Sequence, residues 1–176
     1  KIKKYFPLND KKNKKSKKYM SPYIFYEKLS KVSKPGEIII PCSSGGAFTT
    51  FYQTFLNKKN QKITSNKSLA SMGYGLSGAI GACFANPRKK VIHIEGDGGF
   101  TQNLQEIGTV SCNKLNLKSF IFDDYGYASI RMTQRNYFGG VYMGCDKDTL
   151  LGIPSWNKIF SAWNVKTYQI NNDFDK

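Results

Sequence analysis

The glycine turn Gly96-Asp97-Gly98-Gly99 follows the apolar run Val91-Ile92-His93-Ile94 and precedes Leu104, Ile107 and Val110 at spacings of three. A buried run, a turn without side-chain bulk and then a helix make up the repeating unit of a parallel sheet, whose strands need helical crossovers. The unit recurs along the chain. Glu37-Ile38-Ile39-Ile40 leads through Ser43-Ser44-Gly45-Gly46 into a helix expected over Ala47 to Leu56. Alternating Gly and Ala from Gly75 to Ala85 suit a closely packed helix, ended by Asn86-Pro87. Lys90 to Glu95 reads as a strand, Gln102 to Val110 as a helix, and Leu117 to Phe122 as a strand ending in Asp123-Asp124. A helix from near Trp156 and a strand over the apolar run Val165 to Ile170 complete the pattern. The expected fold class is α/β, a parallel sheet with helices on both faces.

A hydrophobic fraction of 40% in 176 residues supports one domain with a real core. Residues 1 to 20 read as a linker from an upstream domain, and residues 21 to 176 as the domain itself, truncated at its C-terminus. The first helix is expected from Pro22 until Pro35-Gly36 stops it. The formal charge of +15 raises nucleic acid as a partner, but nine of the 27 basic residues lie within the first 18 positions, among Asn, Ser and Asp. Such a run is characteristic of a solvated segment, and no base-reading motif accompanies it, so no nucleic-acid partner is expected. No stretch approaches the roughly 18 apolar residues of a membrane span, and the lysine-rich start lacks the apolar core of a signal peptide. A cytoplasmic protein without a membrane partner is expected. Cys42, Cys83, Cys112 and Cys145 form no C-x-x-C pair and are expected to be reduced and structural. The one histidine, His93, reads as a hydrogen-bonded core residue.

In open parallel sheets, ligands bind beyond the carboxyl ends of the strands. Asp97 and Asp124 stand at two such ends, beside a glycine turn whose N–H groups can approach an anion at a helix start. Mg²⁺ suits this combination, since it takes about six oxygens and joins one or two carboxylates to phosphate oxygens. The alternative is structural: Asp97 caps the following helix, and Asp123-Asp124 forms a turn before Gly126. Residue types and spacing alone leave both open.

The pattern Gly96-Asp97-Gly98, residues 99–123 (25 residues), then Asp124, resembles the thiamin-diphosphate fingerprint of GDG, a similar gap and an Asn-Asn pair. Ser71-Met72-Gly73-Tyr74-Gly75-Leu76-Ser77-Gly78-Ala79-Ile80-Gly81-Ala82 is similar to the S-M-G-x-G-L-P-A-A-I-G-A stretch of acetolactate synthases and related 2-oxo-acid decarboxylases. The chain from Glu37 to Ile170 thus resembles the C-terminal, diphosphate-binding domain of that family. The resemblance implies Mg²⁺ held by Asp97, Asp124 and the Gly126 carbonyl. It implies diphosphate contacts from Gly98 and Gly99 and from the Ser44-Gly45-Gly46 turn. Met72 would support the bent cofactor, with the Ala70 carbonyl and Met72 amide on the aminopyrimidine edge; the plainer reading of Met72 is a gap-filling core side chain.

Three positions depart from the family pattern: Asp124 stands for Asn, Ser77 for Pro, and Thr133 falls near a tryptophan that shapes the acceptor pocket in acetolactate synthases. Ser129 to Gly140 looks more like the acetolactate-synthase-like proteins of surface-polysaccharide gene clusters. The resemblance implies a carboligase or decarboxylase, a transferase or lyase, acting on a 2-oxo acid. Its catalytic glutamate lies on a pyrimidine-binding domain of the same or another chain, within a homodimer or homotetramer, and FAD belongs to a further domain in some members. No residue here matches that glutamate, so no catalytic residue is expected in this chain, which would be inactive alone. The alternative is a stand-alone or degenerate thiamin-diphosphate-binding subunit without activity of its own.

Overall fold

The computed structural model describes residues 6–14, 19–43, 45–66 and 68–171. Four parallel strands, β1 (Ile38–Pro41), β2 (Lys62–Ile63), β3 (Val91–Gly96) and β4 (Leu117–Phe122), form one sheet in the order β2-β1-β3-β4. The helices are α1 (Lys11–Lys14), α2 (Pro22–Val32), α3 (Gly45–Thr54), α4 (Tyr74–Ala85), α5 (Asp97–Phe100), α6 (Ile107–Cys112), α7 (Ala128–Tyr137) and α8 (Trp156–Ala162). Both faces of the sheet are covered, as the unbroken apolar runs of the inner strands require. On one face Ile39, Ile92 and Ile94 pack with Phe25, Tyr26 and Leu29 of α2 and Ala47 and Phe51 of α3, joined by Phe120 and Phe122. On the other, Ile38, Ile40 and Val91 meet Ala79 and Cys83 of α4. Leu76, Ile80, Phe100, Ile107 and Phe160 extend that layer toward α8.

The glycines of α4 have a clear cause. A Cβ at Gly75 would stand 2.6 Å from both Glu95 Oε2 and His93 Nε2, so α4 lies directly on β3 only because that side chain is absent. Proline at the first position of α2 sets its entry, where the missing N–H costs nothing. Within residues 1–20, Pro7–Asn9 forms a 3₁₀ turn that, with α1, packs toward α2, and Leu8 is buried. Among the described residues no helix is long and apolar enough to cross a membrane.

Two expected elements differ. Val165 to Ile170 is irregular rather than a strand: it pairs with no strand of the sheet, and Lys166 to Ile170 are all exposed, so no layer covers it. The helix expected over Gln102 to Val110 is a 3₁₀ stretch, Thr101–Glu106, that leads into α6. Asn103 breaks the α geometry at φ −140°, where its side chain donates to the Gly73 carbonyl at 3.2 Å instead of facing solvent. The strand order reverses between β1 and β3, so the carboxyl ends of these two strands flank a crevice.

Candidate cofactor-binding site

Each of the four expected site segments follows the carboxyl end of one strand: residues 44–46 after β1, 70–72 after β2, 97–99 after β3 and 124–126 after β4. Asp97, 1% exposed, joins two of them. Its Oδ1 accepts from the Gly98 N–H at 2.7 Å, and its Oδ2 from the Gly126 N–H at 2.8 Å. The burial that fixes this carboxylate also pushes its pKa up to about 7; the negative charge of Asp124 adds to the rise, and the two N–H donors oppose it. Asp124 is raised by its own partial burial, against the neighbouring Arg131 guanidinium. Both rises come first from burial, and a divalent cation beside such carboxylates would favour their charged forms. Among the described residues no three His, Cys, Asp or Glu side chains converge on a metal position.

The glycines are required by crowding. A Cβ at Gly98 would run into the ring of Tyr127, and one at Gly99 into Ser43 Oγ and, at 2.8 Å, Glu95 Oε1. A Cβ at Gly126, whose φ is +140°, would run into the Cys145 carbonyl. The turns after β1 and β4 thus close on the β3 turn from two sides and leave it bare backbone, the surface an anion can approach. The Gly98 and Gly126 N–H groups are both held by Asp97. Gly45 lies near Ser129, a Cβ there standing 3.6 Å from Ser129 Oγ, and the Gly46 carbonyl accepts from Tyr26 Oη at 2.9 Å. Ser44 lies outside the described residues.

The segment after β2 approaches from a different side. Ala70 adopts φ +48° and donates its N–H to the Asn66 carbonyl at 2.8 Å. Met72 is 41% exposed, which argues against a gap-filling core methionine. Gly73 packs on Gln102 and Asn103 of the 3₁₀ stretch, and the Ser71 carbonyl lies 3.9 Å from Cys42 Sγ beside β1. Among the described residues, the hydrogen bonds of Asp97 reach Gly98 and Gly126, not Ala70 or Met72.

Residues 44–176 match the family model described as thiamine pyrophosphate enzyme, C-terminal TPP binding domain. The chain belongs to this family. It is 35% identical over 118 residues to the acetolactate synthase large subunit of Porphyra purpurea, a match covering 67% of this chain and 20% of that protein. With isozyme 2 of the acetolactate synthase large subunit from Escherichia coli (strain K12) it shares 30% over 132 residues, 75% of this chain and 24% of that one. The chain thus spans about a fifth to a quarter of the length of these relatives. The solved Rhodococcus jostii RHA1 thiamine diphosphate-dependent 4-hydroxybenzoylformate decarboxylase superposes with a TM-score of 0.74 at 17% identity, covering 89% of this chain and 29% of that one. That likeness carries the fold: the parallel sheet covered by helices is the thiamin-diphosphate-binding fold.

Within this family domain, three residues at the site are not among those singled out from the sequence. Glu95 is fully buried, accepts from Ser43 Oγ at 3.0 Å, and meets His93 Nε2 at 3.0 Å; His93 Nδ1 lies 3.2 Å from Ser119 Oγ. The expected core histidine is thus found, and it anchors the acid that braces the turn after β1. A lone acid in an apolar strand is the signal that could have marked Glu95. Tyr127 covers Gly98, and Arg131 pairs with Asp124. All four cysteines are free, with Cys42, Cys83 and Cys145 buried and Cys112 exposed. Burial, with the Glu95 charge next, raises the Cys42 thiol to about 12, which makes it unreactive.

Proposed function

We propose that this domain holds thiamin diphosphate through Mg²⁺, bound by Asp97, Asp124 and the Gly126 carbonyl, within an acetolactate-synthase-like enzyme acting on 2-oxo acids. The observation that carries the reading is the buried Asp97 carboxylate, tied to the Gly126 amide and raised in pKa by Asp124 beside a turn that admits no side chain. Mg²⁺ would take these three oxygens and complete about six with diphosphate oxygens and water. When bound, thiamin diphosphate supplies the electron sink through which a 2-oxo acid can lose CO₂. This chain's part is anchorage. The turn of Gly98 and Gly99, in which the Gly98 N–H would have to be shared with Asp97, and the Ser44-Gly45-Gly46 turn would receive the diphosphate, while Met72 and the Ala70 carbonyl would support the rings. Two relatives named as acetolactate synthase large subunits, each four to five times the length of the match, favour a carboligase. They equally favour a pyrimidine-binding domain, on the same or another chain, as the source of the catalytic acid–base group in a homodimer or homotetramer.

A second reading, a cofactor-binding subunit without turnover, rests on Asp124, which adds a negative charge where the family pattern has a neutral amide. Calorimetry of thiamin diphosphate binding in Mg²⁺ and in chelator tests the anchorage: binding is expected to be lost in chelator and in Asp97→Ala, and indifference to both overturns it. Product analysis with pyruvate, alone and with a second 2-oxo acid, separates the readings. A carboligation product supports the first, CO₂ and aldehyde alone indicate a simple decarboxylase, and no turnover by an assembly that binds the cofactor supports the second.

A further inference from the structure

Aspartate at position 124 poses a charge problem, because the carboxylate stands beside buried Asp97 and close to Asp123. An anionic cofactor would meet one more negative charge than it meets with asparagine there. The surroundings of Asp124 supply an answer. From α7, Arg131 Nη2 donates to Asp124 Oδ1 at 3.1 Å and to the Asp124 carbonyl at 3.0 Å. Its Nη1 donates to the Cys145 carbonyl at 3.1 Å, the oxygen that also takes the Tyr127 N–H at 2.8 Å. The guanidinium lies close against the turn, since a Cβ at Gly126 would stand 3.0 Å from Nη1. The Arg131 side chain is 25% exposed and that of Asp124 49%, so the pair is sheltered on the arginine side and open to solvent at the aspartate.

We propose that Arg131 is the counter-ion that lets an aspartate serve as metal ligand at position 124, a positioning residue acting through Asp124 on the metal and diphosphate. The inference rests on the Mg²⁺–thiamin diphosphate reading of the site. Arg131 takes Oδ1, and among the described residues no donor takes Oδ2, which remains for the cation. The pair then offers what an asparagine offers: one oxygen donor toward the metal, no net charge, and an orientation fixed by hydrogen bonds. Arginine suits this place better than lysine because its planar fork reaches a carboxylate and two carbonyls at once. Without it Asp124 is an uncompensated charge facing a diphosphate, and the turn of residues 124–127 is held to Cys145 by the Tyr127 N–H alone.

The test is a double-mutant cycle in the intact protein: wild type, Arg131→Gln, Asp124→Asn and the double variant. Dissociation constants for thiamin diphosphate at fixed Mg²⁺ are read by calorimetry, and apo melting temperatures are measured alongside. Arg131→Gln is expected to weaken binding on the order of 10- to 100-fold, the effect of losing hydrogen bonds to a charged group. Adding Asp124→Asn is expected to restore affinity to within about threefold of wild type, the non-additivity of two groups acting as a pair. Should Arg131→Gln not fold, Arg131→Lys retains the charge without the fork and is expected to lose less, with the same rescue. If Arg131→Gln binds as wild type does, or the double variant binds no better than Arg131→Gln, the counter-ion role is overturned and Arg131 only braces the loop. If wild type binds thiamin diphosphate equally in Mg²⁺ and in chelator, the metal reading falls and takes this proposal with it. Wild-type binding that needs Mg²⁺, together with an indifferent Arg131→Gln, removes the Arg131 proposal alone.

Discussion

Metal binding at this site should release a proton near neutral pH. Asp97 titrates at about 7 in the metal-free domain, raised from 3.8 first by burial and then by the Asp124 charge. A ligand carboxylate must be ionised, so the cation competes with that proton. With a pKa near 7, about a tenth of Asp97 is ionised at pH 6 and about nine-tenths at pH 8. The apparent Mg²⁺ affinity in the presence of thiamin diphosphate should therefore rise about tenfold between these values. Close to one proton should leave per ion at pH 6 and almost none at pH 8. Calorimetric Mg²⁺ titrations in two buffers of different ionisation enthalpy count that proton, once the release from cofactor and Mg²⁺ without protein is subtracted. Equal affinities at pH 6 and pH 8, or the same release from Asp97→Asn, would refute the reasoning. The same shift fixes a stability trend. Because folding raises this carboxyl, the native state binds the extra proton between about pH 4 and pH 7, and its contribution to apo stability falls as pH rises through that window.

Three further outcomes are expected. Gly98→Ala should lower apo stability by about 1–3 kcal/mol through the Tyr127 ring, and Tyr127→Ala in the same chain should recover part of the loss in urea denaturation. Glu95→Leu strands His93 and Ser43 without their partner and should cost about 3–5 kcal/mol, the range for breaking a buried pair, with Glu95→Gln losing less in the same assay. Met72→Ala should leave the apo melting temperature within about 2 °C, as for an exposed surface change, yet weaken thiamin diphosphate binding in calorimetry; a matching loss of stability would return Met72 to a packing role.

The sequence made the sheet legible where burial is two-sided. Val91–Gly96 is found within a residue of its expected bounds, five of its six residues buried between helices, and Leu117–Phe122 at its expected bounds, with Lys118 exposed and the other residues half-buried. Where burial is weak the signal fades. Helix α7 buries no residue and β2 has only two, so neither is marked by a run of core side chains. Asn103 breaks its helix for a carbonyl 30 residues away, a tertiary contact that local spacing does not encode. Asp97 and Asp124 were legible because strand ends place them, and the glycines because only bare backbone tolerates the crowding that the structure reveals. Glu95 reaches Ser43 across 52 residues, and Arg131 reaches Asp124 around a turn rather than along a helix face. Neither pairing leaves a pattern in the linear chain.

The proposed anchorage places a cation between Asp97, Asp124 and the Gly126 carbonyl. A crystal structure of the intact protein grown with thiamin diphosphate and Mn²⁺, as an anomalous stand-in for Mg²⁺, tests it most directly. One anomalous peak is expected close to the 2.0–2.1 Å typical of Mg²⁺, or roughly a tenth of an ångström longer, from one oxygen of each carboxylate and from that carbonyl, with diphosphate oxygens completing the shell. A diphosphate seated with no ion between it and Asp97, or a peak held by other residues, would contradict it.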